Sequence, residues 1–194
     1  MERFRFGAPQ CSASFNATDQ AGWNLVRLPS VWALELVSLV AGAAIAFAFG
    51  WIWVRFAQSG FLAPGSTERA PVIVVLIALL PTHEFVHACA YPGGPLSRGV
   101  AWGCHWPGCW TAYHGELTRN RRILAKLLPV IVLSLVPFAV TFATRSVPLW
   151  LAMLVLGNML IASVDLFEAA ALFWQTPRRG IVRDSCDGTW WRPA

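Results

Sequence analysis

The sequence predicts an all-α membrane protein with about four transmembrane helices and a short β-hairpin between the second and third helices. Three observations lead to this prediction: 56% of the 194 residues are hydrophobic, only 13% are charged, and the apolar residues form four long runs. A soluble domain of this length would carry roughly a quarter charged residues. The excess of apolar residues therefore indicates a chain that lies largely within a lipid bilayer.

The four apolar runs are each near or above the ~20 residues that a helix needs to cross a bilayer. They cover about residues 31–54, 71–91, 123–143 and 148–174. Trp32 lies at the opposite end of the first run from Trp51, and Trp150 at the opposite end of the fourth from Trp174. Because tryptophan favours the membrane interfaces, these pairs support the predicted ends of both spans.

The basic residues are distributed unevenly between the two predicted sides of the membrane. Twelve of them lie in or just beside the N-terminal segment, the loop after span two and the C-terminal tail, whereas the other two loops hold three. Since arginine and lysine mark cytoplasmic loops, the middle loop and both terminal segments, residues 1–30 and 175–194, are predicted to be cytoplasmic. The basic residues form no stripe with interleaved aromatic residues, so nucleic acid is not an expected partner.

The middle loop, residues 92–120, is predicted to contain the hairpin on the cytoplasmic face. The sequence Pro-Gly-Gly-Pro at 92–95 stops the second helix, and β-prone residues separated by glycine and proline follow. Cys104 and Cys109 in this stretch have poor spacing for a zinc site, and the five cysteines do not form the pattern of a disulfide framework. Whether these two cysteines have a role is left open.

The candidate chemistry lies near the end of span two, where His83-Glu84-Phe85-Val86-His87 has the pattern HExxH. In a helix, His83 and His87 share one face, so two imidazoles can bind one Zn²⁺ with Glu84 beside the water to be activated. Ionisable residues within an apolar span are costly and usually functional. Two alternatives stay open: a buried pair of structural histidines, and another use of a metal, such as haem ligation or transport.

A hydrolytic zinc site needs a third protein ligand, and the fourth span offers Asp165 and Glu168. The depths of Asp165 and His87 agree within roughly two helical turns. We expect Asp165 to be the ligand, because Glu168 is closer to the water interface, where a solvated acid costs little. Glu168 as the ligand and a purely structural hydrogen bond for Asp165 remain alternatives. Asn158 lies seven residues before Asp165, on about the same helix face.

These residues resemble two groups of membrane metalloproteases. An HExxH helix followed two spans later by an Asp-bearing helix is similar to the site-2-protease type of intramembrane metalloprotease. The chain resembles more closely the zincin peptidase family of small multi-pass membrane proteins, over about residues 71–174. This likeness includes the hairpin, the stretch 116–122, Pro129 and the helix with Asn158 and Asp165. One departure is that Leu166 stands where site-2 proteases have the glycine of Leu-Asp-Gly.

The resemblance implies a zinc-dependent, membrane-embedded metallopeptidase that cleaves a membrane-associated or juxtamembrane protein near the cytoplasmic face. It implies that His83, His87 and Asp165 bind Zn²⁺ and that Glu84 is the general base. Asn158 would stabilise the oxyanion or orient a ligand. The hairpin would present a substrate strand by edge pairing. The alternative is a non-catalytic membrane protein, either a metal carrier or an inactive homologue that acts as a scaffold. The sequence does not indicate an oligomeric state.

Overall fold

The computed structural model describes residues 4–6, 22–56, 69–105, 108–144, 146–185 and 188–194. This part of the chain is mostly helical and contains two small sheets, which confirms the mainly α-helical prediction. Its helices are α1 (Val31–Phe56), α2 (Arg69–Ala90), α3 (Arg119–Val130), α4 (Val136–Thr144), α5 (Leu149–Ile161) and α6 (Ser163–Gln175). A π-helical turn, Ile131–Leu135, joins α3 to α4. Most of the predicted N-terminal segment, namely residues 1–3 and 7–21, lies outside the described residues.

Among the described residues, three helical stretches are long and apolar enough to cross a membrane: Val31–Arg55, Ala70–Ala90 and Arg119–Thr144. Helices α5 and α6 pass the same test only as a pair, so the count becomes four if the pair is one span. These helices support the prediction of a membrane protein.

The fourth predicted span, residues 148–174, is broken where the sequence predicts a continuous helix. The axes of α5 and α6 differ by 45° across Ala162. The Ser163 hydroxyl donates a hydrogen bond of 2.7 Å to the Leu160 carbonyl, and hydroxyls that bond back to the preceding turn are a known cause of helix bending. Helix α1 approaches this bend closely, since a Cβ on Gly42 would lie 2.9 Å from the Ser163 hydroxyl oxygen.

Two sheets are formed by short strands, namely β1 (Phe4–Phe6), β2 (Asn24–Leu25), β3 (Val100–His105), β4 (Gly108–Tyr113), β5 (Leu117–Thr118), β6 (Ile181–Ser185) and β7 (Gly188–Arg192). The first sheet has the order β1-β3-β4, in which β1 is parallel to β3 and β4 is antiparallel to it. A disulfide joins Cys104 to Cys109 across the β3–β4 pair. The second sheet, β2-β7-β6-β5, is antiparallel throughout.

The C-terminal tail after Pro177, which is short and basic and for which the sequence predicts irregular structure, instead forms the pair β6–β7. Val182 of β6 is buried in a small core with Val26 and Leu172 of α6, and Trp191 of β7 packs against the same core. The tail is therefore ordered by apolar contacts with residues distant in sequence, which local composition does not reveal.

The chain divides into two compact units. One consists of Met1–Pro29, Glu84–Leu128 and Leu166–Ala194, and it contains both sheets. The other consists of Ser30–His83 and Pro129–Asp165. Helices α2 and α6 each contribute residues to both units, since the division follows His83 in α2 and Asp165 in α6.

Candidate metal centre

Three predicted ligands come together in the structure. His83, His87 and Asp165 each offer one ligand atom, and these atoms all lie within 4.8 Å of one another. The three residues are 2%, 5% and 6% exposed, respectively, so none of them is a freely solvated surface group. Within the part of the chain that the structure describes, no second group of three such residues is found.

Asp165 lies in the first turn of α6, directly after the bend. The N–H groups of a first helical turn lack helical acceptors, and the positive end of the helix macrodipole favours an anion there. In a continuous span the same carboxylate would lie in the helix interior without this stabilisation. The bend therefore gives a physical reason why a buried acid is tolerated at this position.

The His83 ring is held by two side chains. Its Nδ1 lies 2.9 Å from Oδ1 of Asn158, and its Nε2 lies 3.0 Å from Oδ2 of Asp165. Asn158 is fully buried, and its Nδ2 donates hydrogen bonds to the Pro129 carbonyl at 3.0 Å and to the Ser134 hydroxyl at 2.8 Å. Because the amide nitrogen is directed to these two acceptors, the amide oxygen faces His83 and accepts the Nδ1 proton.

His87 is held in the same tautomer by the main chain. Its Nδ1 lies 2.7 Å from the carbonyl oxygen of Ala125, which can only accept a hydrogen bond. The proton is therefore on Nδ1, and Nε2 is the nitrogen that can bind a metal. Metal-binding histidines characteristically donate their other ring N–H to a carbonyl or carboxylate in this way.

These contacts test whether the residues suit a metal. With Nδ1 of His83 protonated, a neutral ring directs the lone pair of Nε2 at a carboxylate oxygen of Asp165, 3.0 Å away. Two lone pairs at this distance repel, so the pair requires a positive charge, either a second ring proton or a metal ion. Two imidazole nitrogens and one carboxylate oxygen also form the three-ligand set of catalytic zinc sites, which leave a fourth position for water. The donor set therefore fits Zn²⁺.

The other predicted acid on α6 has a different partner. Oε2 of Glu168 lies 2.5 Å from Nζ of Lys126, and Glu168 is not part of the ligand group. An ion pair with lysine already compensates this carboxylate. The contacts thus favour Asp165 over Glu168 as the third ligand.

Glu84 is half-buried, and its backbone is tied to the first sheet. The Thr111 hydroxyl of β4 donates a hydrogen bond of 3.0 Å to the Glu84 carbonyl. The neighbouring Phe85 ring lies 5.6 Å from the ring of Trp102 in β3. The β3–β4 pair is consequently anchored directly to the HExxH segment.

Sequence reasoning singled out Asn158 but missed the groups that hold it and His87. Ser134 is fully buried in the π-helical turn, where it accepts from Asn158 and donates to the Val155 carbonyl at 3.2 Å. As one of few polar residues in the third apolar run, Ser134 was a detectable signal. The carbonyls of Ala125 and Pro129 carry no residue-type signal, so only the fold could identify them.

Comparison with known protein families identifies a match. The model of a protein family described as "Putative zincin peptidase" matches residues 76–181, which is more than half of the chain. The matched range includes His83, Glu84, His87, Asn158 and Asp165. A search of curated proteins and a search of solved structures found no match to this chain.

Proposed function

The chain belongs to the zincin peptidase family, and on this basis we propose that it is a zinc-dependent, membrane-embedded metallopeptidase. The observation that carries the proposal is the buried group His83, His87 and Asp165, whose two histidines are both held as Nδ1–H tautomers. Helix α2, which is apolar and long enough to cross a membrane, carries both histidines, and the apolar pair α5–α6 carries Asp165. These positions support a site within or close to the bilayer.

We assign the metal to His83, His87 and Asp165. A Zn²⁺ ion held by these residues would supply a Lewis acid that could polarise the scissile carbonyl and lower the pKa of a bound water. Glu84 lies between the two histidines in α2, and it is assigned as the base that accepts a proton from the attacking water and returns it to the leaving amine.

Asn158 is assigned to orienting His83. Its oxygen accepts the His83 Nδ1 proton, and both hydrogens of its amide nitrogen are used by Pro129 and Ser134. No amide hydrogen is then left for an oxyanion, so of the two roles that the sequence suggested, the contacts favour orientation.

The proposed substrate is a membrane-associated or juxtamembrane protein segment in an extended conformation. Strand β4 is an edge of its sheet among the described residues, and an exposed edge can add a peptide strand by main-chain hydrogen bonds. Because Thr111 of β4 is bonded to the Glu84 carbonyl, a strand paired with β4 would run beside the proposed base. This arrangement supports the likeness to site-2 proteases.

The compact unit that contains both sheets is proposed to lie on the cytoplasmic side of the membrane. The three segments rich in basic residues, which the positive-inside rule places on one side, all belong to the same compact unit. Both termini and the proposed cleavage site would then lie toward the cytoplasmic face.

The test compares the purified wild type with Glu84→Gln and His83→Ala in detergent or liposomes. Zinc content is measured by mass spectrometry, and hydrolysis is followed with fluorescently labelled β-casein as an unstructured probe. We expect Glu84→Gln to keep its zinc while hydrolysis falls about 10²–10⁴-fold, the usual contribution of a general base. His83→Ala should lose both. Wild-type rates in Glu84→Gln would contradict the assigned base, and a zinc-loaded wild type that cleaves neither casein nor a transmembrane probe would favour the non-catalytic alternative.

A further inference from the structure

We propose that Arg119 and Arg121 are positioning residues of the metal centre, because they hold the C-terminal ends of the two helices that carry its ligands. The proposal rests on the proposed function, since it takes α2 and α6 to be ligand helices. Both arginines lie in the first turn of α3, a segment that supplies no candidate ligand.

Arg119 closes the end of α6. The carbonyl of Phe173 has no helical donor, because the residue four positions later is Pro177, which lacks an N–H. Nη2 of Arg119 donates to this carbonyl at 2.5 Å, and Nε donates to the Leu172 carbonyl at 3.4 Å. The guanidinium also lies 4.8 Å from the centre of the Phe173 ring. The buried guanidinium of Arg119 therefore donates to two successive carbonyls at the end of one helix.

Arg121 closes the end of α2. Ala90 is the last residue of that helix, so its carbonyl is among the four that lack a helical donor. Nε of Arg121 donates to it at 2.9 Å. A cation at the C-terminus of a helix is also favoured by the macrodipole. Residues two apart on a helix point in nearly opposite directions, which lets one turn of α3 contact both helix ends.

The contacts distinguish this role from lipid binding. Arg119 and Arg122 are 6% and 7% exposed, although arginines at the end of a span usually extend toward headgroups. Arg121 is exposed, but its Nε is bonded to the Ala90 carbonyl. Arg122 pairs with Asp184 and donates to the Tyr91 hydroxyl at 2.9 Å. Arg119 and Arg122 are therefore directed into the protein, and the first turn of α3 holds the C-terminal ends of α2 and α6 by hydrogen bonds.

The expected consequence concerns metal geometry. Removing either arginine frees the C-terminal end of one ligand helix. The distance between the ligand atoms of His83 and Asp165 is then less tightly fixed. Groups that orient metal ligands typically change metal affinity 10–100-fold, and we expect a loss of that size from Arg119→Ala or Arg121→Ala. Arg121→Lys should restore binding, because one ammonium can serve one carbonyl. Arg119→Lys should restore it only in part, because a lysine lacks the fork for two carbonyls.

The experiment titrates each full-length variant with Co²⁺ in place of zinc and records the visible spectrum, which reports coordination geometry. Thermal unfolding of the metal-free proteins measures fold stability separately. The matched control is Arg178→Ala, which removes an exposed arginine just beyond α6. Weakened Co²⁺ binding with an altered spectrum in the alanine variants, and wild-type behaviour in the control, would support the proposal. Wild-type affinity and spectrum in Arg119→Ala and Arg121→Ala would overturn it, as would a loss of thermal stability without a spectral change. If the wild type itself takes up no Co²⁺ or Zn²⁺, the proposed metal site fails instead.

Discussion

Replacing Asn158 with leucine is expected to weaken zinc binding in addition to weakening the fold. Leucine has the same number of side-chain heavy atoms and the same branching as asparagine but no polar atoms, so it takes a similar shape with larger methyl groups while it removes three hydrogen bonds. These join Asn158 to His83 at 2.9 Å, to Ser134 at 2.8 Å and to Pro129 at 3.0 Å. Without the amide oxygen, nothing at position 158 selects the Nδ1–H tautomer of His83 or fixes its ring.

The two effects are measured separately. Hydrogen bonds between side chains in membrane helices average about 0.6 kcal/mol, so loss of the three bonds should cost the metal-free fold about 2 kcal/mol. Loss of the group that orients His83 should in addition reduce zinc affinity about 10–100-fold. That range corresponds to about 1.4–2.8 kcal/mol of binding free energy. The matched control is Ser134→Ala, which removes one support of Asn158 but leaves its contact with His83.

The assay is competition for zinc between the protein and a chromophoric chelator, together with thermal unfolding of the metal-free variants. We expect Asn158→Leu to bind zinc at least tenfold more weakly than wild type. Ser134→Ala should bind zinc within a few-fold of wild type, although its fold stability is similar to that of Asn158→Leu. Equal zinc affinity in Asn158→Leu and wild type would refute the reasoning, because the asparagine would then support only the packing of the helices.

Three further predictions concern the third ligand, the bend and the topology. Asp165→Asn should abolish stoichiometric zinc in metal analysis, whereas Glu168→Gln should retain it; the reverse result would move the ligand to Glu168. Gly42→Val should lower stability by about 1–3 kcal/mol, because a Cβ would meet a serine hydroxyl at 2.9 Å, and Gly50→Ala, where a Cβ meets nothing within 4 Å, should not. The unfolding transition in detergent checks this pair. In a variant whose cysteines outside the Cys104–Cys109 disulfide are replaced by serine, including the exposed Cys89, a cysteine replacing the exposed Arg98 should be labelled by impermeant maleimide only in inverted vesicles. Labelling in intact cells would place the sheets outside, where the Cys104–Cys109 disulfide is more usual.

The sequence predicted the structure best where the chemical type of the residues themselves determines the structural feature. Apolar runs identify helices that can cross a membrane, because bilayer thickness sets their length. The histidine spacing and the depth of Asp165 predicted three side chains that the fold brings within 4.8 Å of one another. The start of α3 was less accurate, since the helix begins at Arg119 and the apolar run suggested residue 123. Hydropathy places the start of a span after its arginines, whereas Arg119 and Arg121 belong to the helix and donate hydrogen bonds to main-chain carbonyls of the protein.

The sheets depend on contacts that the local sequence does not show. Strand β5 has two residues and pairs with β6, whose Val182 faces Leu117 in the register, more than sixty positions apart in the sequence. Segments this short with mixed polarity have weak intrinsic preference for a strand. They become strands because burial of Val182 with Leu172 and Val26 favours the pairing. The C-terminal tail therefore looked irregular by composition, although it forms part of a four-stranded sheet.

The bend after α5 shows why the sequence could identify Asp165 but not explain it. Hydropathy is continuous through the fourth run, and the break at Ala162 coincides with a single local contact, in which the Ser163 hydroxyl bonds to the carbonyl three residues earlier. That break turns the middle of a span into the start of α6 and places Asp165 in a first turn. A carboxylate there benefits from main-chain N–H groups that a continuous helix would use internally. Oδ2 of the same carboxylate lies 3.0 Å from Nε2 of His83, so the bend both stabilises the acid locally and places it as a ligand.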